Sequence, residues 1–351
     1  MALNAVAPSI GVESTPEPSA LAWVLGPITA LLIPADVSEL CINRPGEVFL
    51  ETSCGWRCER VPALDLAWCR RFAKLVANYT RQRIDESSPL LSGSLPTGER
   101  VQIVLPPATT SGTVAITIRR PSSEAWTLSA LAERGIFRSL ATRASRTESV
   151  ASELTALLAA KDYETFMRRA VRTRQNILVS GPTGSGKTTW TKALIGEIPP
   201  EERLLTIEDA AELALHRHPN HVRLFYSKDD QGLARVTPKQ LLESCLRMRP
   251  DRILLAELRS EEAFDYLRNV NSGHPGSITS VHAGSCRLAF EQLVLLVKES
   301  PGGRQLARHD IKHLLHLLID VVIQFGVDKQ QRFIKEIWYG PMERRRARHV
   351  D

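Results

Sequence analysis

A glycine-rich loop carries the most specific chemical signal in the sequence. The segment GPTGSGKT at residues 181–188 follows a short apolar run and precedes a helical pattern. Glycines permit positive φ and close backbone approach, so that successive N–H groups can point at phosphate oxygens. In such a loop the lysine reaches the β- and γ-phosphates, and the hydroxyl after it binds Mg²⁺. We therefore predict a site for ATP and Mg²⁺ with Lys187 as a catalytic residue and Thr188 as a metal ligand. The predicted nucleotide contacts are Gly181, Pro182, Thr183, Gly184, Ser185, Gly186, Lys187, Thr188 and Thr189.

Three other apolar runs end in residues that could serve the same site. They lead into Glu208, Glu257 and His282. In an open α/β sheet, ligands bind outside the carboxyl ends of the parallel strands. We therefore expect these three side chains to lie beside Lys187 as catalytic residues around one nucleotide. His282 is expected to sense the γ-phosphate.

The two glutamates can divide the work in two ways. One would orient Mg²⁺ and its waters, and the other would position or deprotonate the attacking water. We favour Glu257 as the metal-side acid and Glu208 as the base, and the reverse assignment stays open. Asp251 is not a candidate because it begins the strand that ends at Glu257, roughly 20 Å away at the usual rise.

Arginines cluster around the same strand. Some are expected to form ion pairs, and one could serve a neighbouring subunit as an arginine finger. The four residues are Arg247, Arg249, Arg252 and Arg259.

The elements that must position these residues fall into two regions with different patterns. In residues 148–351, short apolar runs alternate with helical stretches, the first of them over residues 148–172, which is typical of an α/β domain with a mainly parallel sheet. Residues 21–122 contain period-2 runs and a helix over residues 64–80, which indicates a smaller α+β domain. We predict a disordered N-terminus at residues 1–20 and a linker at residues 123–147.

Composition limits the possible classes of protein. The chain has 351 residues, 43% hydrophobic and 24% charged, which suits two globular domains of ~100–200 residues each. Its six cysteines are scattered, so a reducing cytoplasm is expected, and Cys54 and Cys58 lack the second pair of a metal site. The longest apolar run, residues 21–33, is shorter than the ~20 residues of a membrane-spanning helix.

The charge is mildly basic. A net charge of +6 permits contact with anionic lipid or nucleic acid without proving either. The arginine-rich run at residues 344–348 is usually a solvated tail, and it could also contact acidic headgroups.

As a set, these segments resemble the hexameric traffic ATPases of bacterial type IV secretion systems, the VirB-type secretion ATPases. GPTGSGKTT (181–189), LLTIEDAAEL (204–213), LRMRPDRILLAELR (246–259) and GHPGSITSVHAGS (273–285) are similar to the family's Walker A, Asp, Walker B and His boxes, in that order. INRPGEVFLE (42–51), GERVQIVLPP (98–107) and ITIRRPS (116–122) are similar to its N-terminal domain. The four-cysteine motif of the related type II motors is missing, which favours the type IV branch.

The resemblance implies more than the residues alone predict. It implies a RecA-like P-loop domain preceded by the smaller α+β N-terminal domain, assembled as a homohexamer at the cytoplasmic face of the inner membrane. Arg100 and Arg119 match N-terminal-domain arginines that reach the nucleotide phosphates. The implied partners are an inner-membrane ATPase, a coupling protein and the transported DNA or protein. The implied work is pilus assembly and substrate export.

Two other functions remain alternatives. The basic charge is compatible with a DNA translocase or helicase, although aromatic residues are only 6% of the chain and no nucleic-acid-binding module is recognisable. A nucleotide-switched assembly scaffold would bind ATP and scarcely hydrolyse it.

Overall fold

The computed structural model describes residues 20–34, 36–121, 126–137, 140–227, 232–271, 273–329 and 331–343. Residues 1–19 of the predicted disordered N-terminus and the arginine-rich run at 344–348 lie outside the described residues, and Ala20 begins the first helix. The elements are, in chain order, α1 (Ala20–Leu32), β1 (Glu39–Arg44), β2 (Glu47–Thr52), β3 (Gly55–Arg60), α2 (Leu66–Thr80), β4 (Leu90–Ser94), β5 (Arg100–Val104), β6 (Ala115–Arg119), α3 (Leu128–Glu133), α4 (Leu140–Ala159), α5 (Tyr163–Arg172), β7 (Ile177–Ser180), α6 (Lys187–Ile195), β8 (Leu204–Glu208), β9 (His221–Phe225), α7 (Pro238–Cys245), β10 (Arg252–Leu255), α8 (Glu262–Asn271), β11 (Ile278–Val281), α9 (Cys286–Glu299), α10 (Arg308–Leu318), β12 (Val321–Asp328) and β13 (Gln331–Tyr339).

The N-terminal half is built on an antiparallel sheet. Its six strands lie in the order β3-β2-β1-β6-β5-β4, with α1 and α2 packed against one another. Helix α2, predicted at residues 64–80, begins where the Asp65 side chain accepts a hydrogen bond from the Trp68 backbone and ends at Arg81 in the left-handed conformation. Trp68, Phe72 and Val76 on one face of this helix are buried in the core of this half.

The C-terminal half contains two sheets that run alongside each other. Their orders are β10-β8-β9 and β11-β7-β12-β13, and all pairs are parallel except the last. Ser277 Oγ donates to Ile253 O at 2.9 Å and Ser280 Oγ to Ala256 O at 3.0 Å. Because donor and acceptor both advance by three residues from one contact to the next, β10 and β11 are also parallel neighbours. The chain therefore has an α/β fold in which β7, β8, β10 and β11 end at one edge.

One predicted helix is wrong in its bounds. The helix expected over residues 148–172 is two helices, α4 and α5, because Lys161 adopts a φ of 61° and Asp162 caps α5 by accepting from the Thr165 backbone at 3.2 Å. The range predicted as a linker contains α3 and the first residues of α4. No helix within the described ranges is both long and apolar enough to cross a bilayer.

A buried arginine joins the two halves. The Arg203 side chain is 0% exposed, and its guanidinium donates to Asn43 Oδ1 at 2.8 Å, to Met248 O at 2.9 Å and to Asn220 Oδ1. It also lies 5.7 Å from the centre of the Trp56 ring. Asn43 and Trp56 belong to the N-terminal sheet, so one guanidinium satisfies acceptors from both halves.

Backbone contacts extend the same junction along β9. Thr109 Oγ1 donates to Arg223 O at 2.9 Å, and the Phe225 backbone donates to Ala108 O at 2.9 Å. Arg249 forms a two-pronged ion pair with Glu51 of β2. The N-terminal half is thus attached along the β8–β9 edge, on the far side of the sheets from β7.

We expect Arg203→Ala to lower the melting temperature by roughly 6–12 °C. It removes the donor to Asn43 Oδ1 and Met248 O, whereas Asn220 Oδ1 still accepts from Asn43 Nδ2. The loss costs ~3 kcal/mol, and ~1 kcal/mol moves the melting temperature of such domains by ~2–4 °C. Thermal unfolding followed by circular dichroism measures the effect. Arg287→Ala, which removes an exposed arginine from α9, is the control; an equal loss in both variants would contradict the role of Arg203.

Candidate active site

The glycine-rich loop has the shape that a phosphate cradle requires. It connects β7 to α6, and Gly184 and Gly186 have φ of 74° and 92°, which side chains rarely adopt. A Cβ on Gly181 would lie 2.7 Å from Ser185 Oγ and 2.9 Å from Phe325 Cβ. The amino end of α6 faces the same space, so its unpaired N–H groups favour an anion there.

Lys187 lies at the centre of the site. Its ammonium donates to Gly181 O at 2.9 Å and to Pro182 O at 3.0 Å, and lies 3.3 Å from His282 Nδ1. The residue is only 8% exposed. Burial lowers the pKa of the ammonium, and the carboxylate of Glu257 opposes that shift.

His282 connects Lys187 to Glu257. Its Nε2 lies 2.6 Å from Glu257 Oε1. Because a lysine ammonium can only donate, Nδ1 accepts from Lys187, and Nε2 faces the Glu257 carboxylate. The imidazole therefore lies between a cation and an anion, and the structure brings these three predicted residues together.

Glu257 has a second partner, which sequence reasoning did not place in the site. Arg259 Nη2 lies 2.5 Å from Glu257 Oε2, and its Nη1 lies 3.1 Å from Asp209 Oδ2. The hydrogen bond with Glu257 raises the pKa of the Arg259 guanidinium. Asp209 was not predicted as a site residue because Glu208, the last residue of the strand, was assigned to the site instead.

Glu208 does not join this cluster. It is fully buried, and its carboxylate accepts from Thr206 Oγ1 at 2.7 Å, from the backbones of Glu212 and Leu213 at 2.9 and 2.8 Å, and from Arg223 at 2.9 and 2.8 Å. Successive side chains in a strand point to opposite faces, so Asp209 reaches Arg259 while Glu208 does not. A carboxylate held by these contacts is not available as a base in this arrangement.

Arg100 and Arg119 are neighbours on the N-terminal sheet rather than in the loop. They pair across β5 and β6, and Arg119 Nε lies 3.3 Å from Glu39 Oε1. Burial raises the pKa of Glu39 to about 7, partly offset by Arg119. Among the described residues, neither arginine has a recorded contact with the loop at 181–189. Their reach to the phosphates stays a prediction.

The arginines around β10 have separate partners. Arg249 pairs with Glu51, Arg252 with Glu202 at 2.7 Å, and Arg259 with Glu257. Arg247 donates to the Glu243 backbone at 3.2 Å and is exposed. The expected ion pairs are confirmed for three of the four, and the arginine finger stays a prediction.

The predicted Mg²⁺ ligands offer oxygen donors. Thr188 is exposed at the start of α6, next to Lys187 in the chain. Glu257 provides a carboxylate that contacts His282, which in turn contacts Lys187. Hydroxyl and carboxylate oxygens suit Mg²⁺, which keeps several waters and shares its other positions with phosphates. Within the described ranges, no group of three or more His, Cys, Asp or Glu side chains is arranged to hold a metal by itself. The site therefore fits a metal that arrives with a nucleotide.

Comparison with known proteins finds relatives along nearly the whole chain. A family model described as Type II/IV secretion system protein matches residues 25–325. The Type IV secretion system protein VirB11 of Bartonella henselae is 48% identical over 332 residues, covering 92% of this chain and 93% of the relative. Protein VirB11 of Agrobacterium tumefaciens is 40% identical over 335 residues, covering 94% and 96%.

A solved structure also matches. It is the crystal structure of the VirB11 ATPase from the Brucella suis type IV secretion system in complex with sulphate, with a TM-score of 0.86 and 45% identity. The match covers 95% of this chain and 98% of that one. The likeness therefore includes both the N-terminal sheet and the half that carries the glycine-rich loop.

We expect Glu208→Gln and Glu257→Gln to fail in different ways. The Glu208 variant breaks a buried ion pair and should lose about 2–3 kcal/mol of stability, since Arg223 keeps some access to water. The Glu257 variant should stay folded and lose ATP hydrolysis by about 100-fold or more, the usual contribution of a general base. Thermal unfolding and phosphate release measure the two effects. A Glu208→Gln protein with unchanged stability and no turnover would return the base assignment to Glu208.

Proposed function

Because this chain belongs to the VirB11 family of type IV secretion ATPases, we propose that it hydrolyses ATP as a motor subunit of such a secretion apparatus. The resemblance drawn from the four sequence boxes is confirmed by the relatives. One observation carries the proposal for the site: beside the glycine-rich loop, Lys187 is hydrogen-bonded to His282, and the His282 ring is in close contact with Glu257. Neither the DNA translocase nor the assembly scaffold is favoured by the relatives.

The geometry suggests how these side chains respond to a triphosphate. The Lys187 ammonium is held by the carbonyls of Gly181 and Pro182, which phosphate oxygens can replace. As Lys187 turns to the phosphates, the His282 ring loses its donor and can turn so that its Nε2–H group donates to the γ-phosphate. Glu257, fixed by Arg259, is then placed to accept a proton from the attacking water.

Mg²⁺ would be held by the Thr188 hydroxyl, by phosphate oxygens and, directly or through water, by Glu257. Bound there, it would neutralise phosphate charge.

The proposal includes the larger assembly. Residues 148–351 form a RecA-like domain, residues 21–122 the α+β N-terminal domain, and residues 123–147 the segment that joins them. Six copies form a ring, and Arg100 and Arg119 reach nucleotide phosphates within it. The partners are an inner-membrane ATPase, a coupling protein and the exported DNA or protein, and the work is pilus assembly and export.

We also place the ring at the cytoplasmic face of the inner membrane, and α1 supports this. Trp23 is 71% exposed and Ile33, just beyond the helix, 69% exposed, and α1 contains no charged residue. The exposed face of α2, packed against α1, carries Arg70, Arg71 and Lys74 and no acid. Exposed apolar side chains beside cations suit an anionic lipid surface.

We expect Lys187→Ala to lower kcat/KM for ATP by at least about 100-fold, because the ammonium that meets the β- and γ-phosphates is lost. Lys192→Ala removes an exposed lysine from the same helix and should stay near the unaltered rate. Steady-state phosphate release measures both. An unchanged rate in Lys187→Ala would refute the assignment of the site.

The alternatives make different predictions. Strong stimulation of hydrolysis by single-stranded DNA, with steep salt dependence, would support a translocase. Secretion by cells that carry Glu257→Gln would support a scaffold, whereas a motor requires that secretion stops.

For the membrane contact, we expect the purified chain to sediment with vesicles that contain phosphatidylglycerol and not with phosphatidylcholine alone. Replacing both Trp23 and Ile33 by Ser should weaken this binding about tenfold, as expected for two exposed apolar side chains. Leu295→Ser, which changes a 52% exposed leucine of α9, is the control. Equal binding to both kinds of vesicle, or equal loss in the control, would contradict a lipid-facing α1.

A further inference from the structure

The hairpin of β12 and β13 reaches past the end of β7 and lies beside the glycine-rich loop. Gln324 of β12 pairs with Ser180, the last residue of β7, in parallel register. Strand β12 then continues to Asp328, and β13 returns with Arg332 opposite Val327. The tip of the hairpin is therefore at the same edge of the sheet as the loop.

Arg332 lies directly against the loop. Its Cδ is 3.1 Å from the position that a Cβ on Gly186 would occupy, and its Nε and Nη1 are 3.8 Å from that point. Gly186 has a φ of 92°, so glycine serves here both the turn of the backbone and the close approach of the arginine. The contact places a guanidinium over the residue that precedes Lys187.

The charge of Arg332 is not used within the described part of the chain. The residue is exposed, and no ion pair is recorded for it among the residues that the structure describes. By contrast, Arg223 is paired with Glu208 and Arg259 with Glu257. A cation held against a phosphate-binding loop without a carboxylate is suited to an anionic ligand.

Arg332 and Lys187 approach the loop from opposite sides. Strand β11, which leads to His282, pairs with one edge of β7, and β12 pairs with the other. Lys187 contacts His282 on the first side, and Arg332 comes from the second. Two cations therefore flank the space above the loop.

We propose that Arg332 is a nucleotide-binding residue that contacts the phosphate chain of ATP from the β13 side. This inference rests on the proposed ATP hydrolysis and adds a residue outside the four sequence boxes. The planar guanidinium can donate two parallel hydrogen bonds to phosphate oxygens, which an ammonium cannot. Because diphosphates and triphosphates both lie over the loop, the contact holds substrate and product alike and acts on affinity more than on the chemical step.

The test compares Arg332→Gln, Arg332→Lys and the control Lys335→Gln, which removes one charge from an exposed residue of the same strand. Dissociation constants for ATP, ADP and GTP are measured by fluorescence or calorimetry, together with kcat and KM. We expect Arg332→Gln to weaken ATP and ADP binding about tenfold, as for the loss of a charge-assisted hydrogen bond. Arg332→Lys should recover part of the loss, and Lys335→Gln should stay within about twofold of the unaltered chain.

Each result decides a point. A raised KM with kcat nearly kept, and equal losses for ATP and GTP, support contact with the phosphates. A loss for ATP and ADP with GTP binding unchanged would show contact with the base and overturn the inference. Binding by Arg332→Gln within twofold of the unaltered chain, or an equal loss in Lys335→Gln, would overturn it as well. If the unaltered chain binds ATP and only the Arg332 effect is missing, the proposed function stands; if the unaltered chain binds no nucleotide, both fail.

Discussion

The site depends on holding a buried ammonium without giving it a carboxylate. Lys187 is satisfied by two backbone carbonyls and the neutral ring of His282, while Glu257 lies one residue further along the chain of contacts. A direct ion pair with Glu257 would compete with phosphate for the charge. Carbonyl groups are weaker partners, so the ammonium can leave them for an anion. The charge of Lys187 is therefore kept available for an anion.

The sequence could predict which strands meet, because the carboxyl ends of parallel strands share an edge. That rule predicts that Lys187, Glu257 and His282 lie together, and in the structure His282 contacts both of the others. It could not separate Glu208 from Asp209. Successive side chains at the end of a strand point to opposite faces of the sheet. Only the structure shows that Asp209, and not Glu208, faces the site.

Features that arise from tertiary packing gave no sequence signal. Arg332 lies in no motif, and its place beside the loop comes from the length of a hairpin whose first strand, β12, pairs with β7. Likewise, the attachment of the N-terminal half through Arg203 depends on acceptors that are far apart in the chain, from Asn43 to Met248. The break before α5 was missed because helical periodicity continues across Lys161, whose left-handed conformation ends α4.

Glu208 and its neighbour Asp209 contact two different parts of the molecule. Asp209 pairs with Arg259 beside Glu257. A planar peptide bond joins Asp209 to Glu208. The Glu208 carboxylate accepts hydrogen bonds from the Arg223 side chain. The Arg223 carbonyl in turn accepts a hydrogen bond from Thr109 of the N-terminal half. Through these contacts, two adjacent acids link the Arg259 side of the sheet to the opposite half of the subunit.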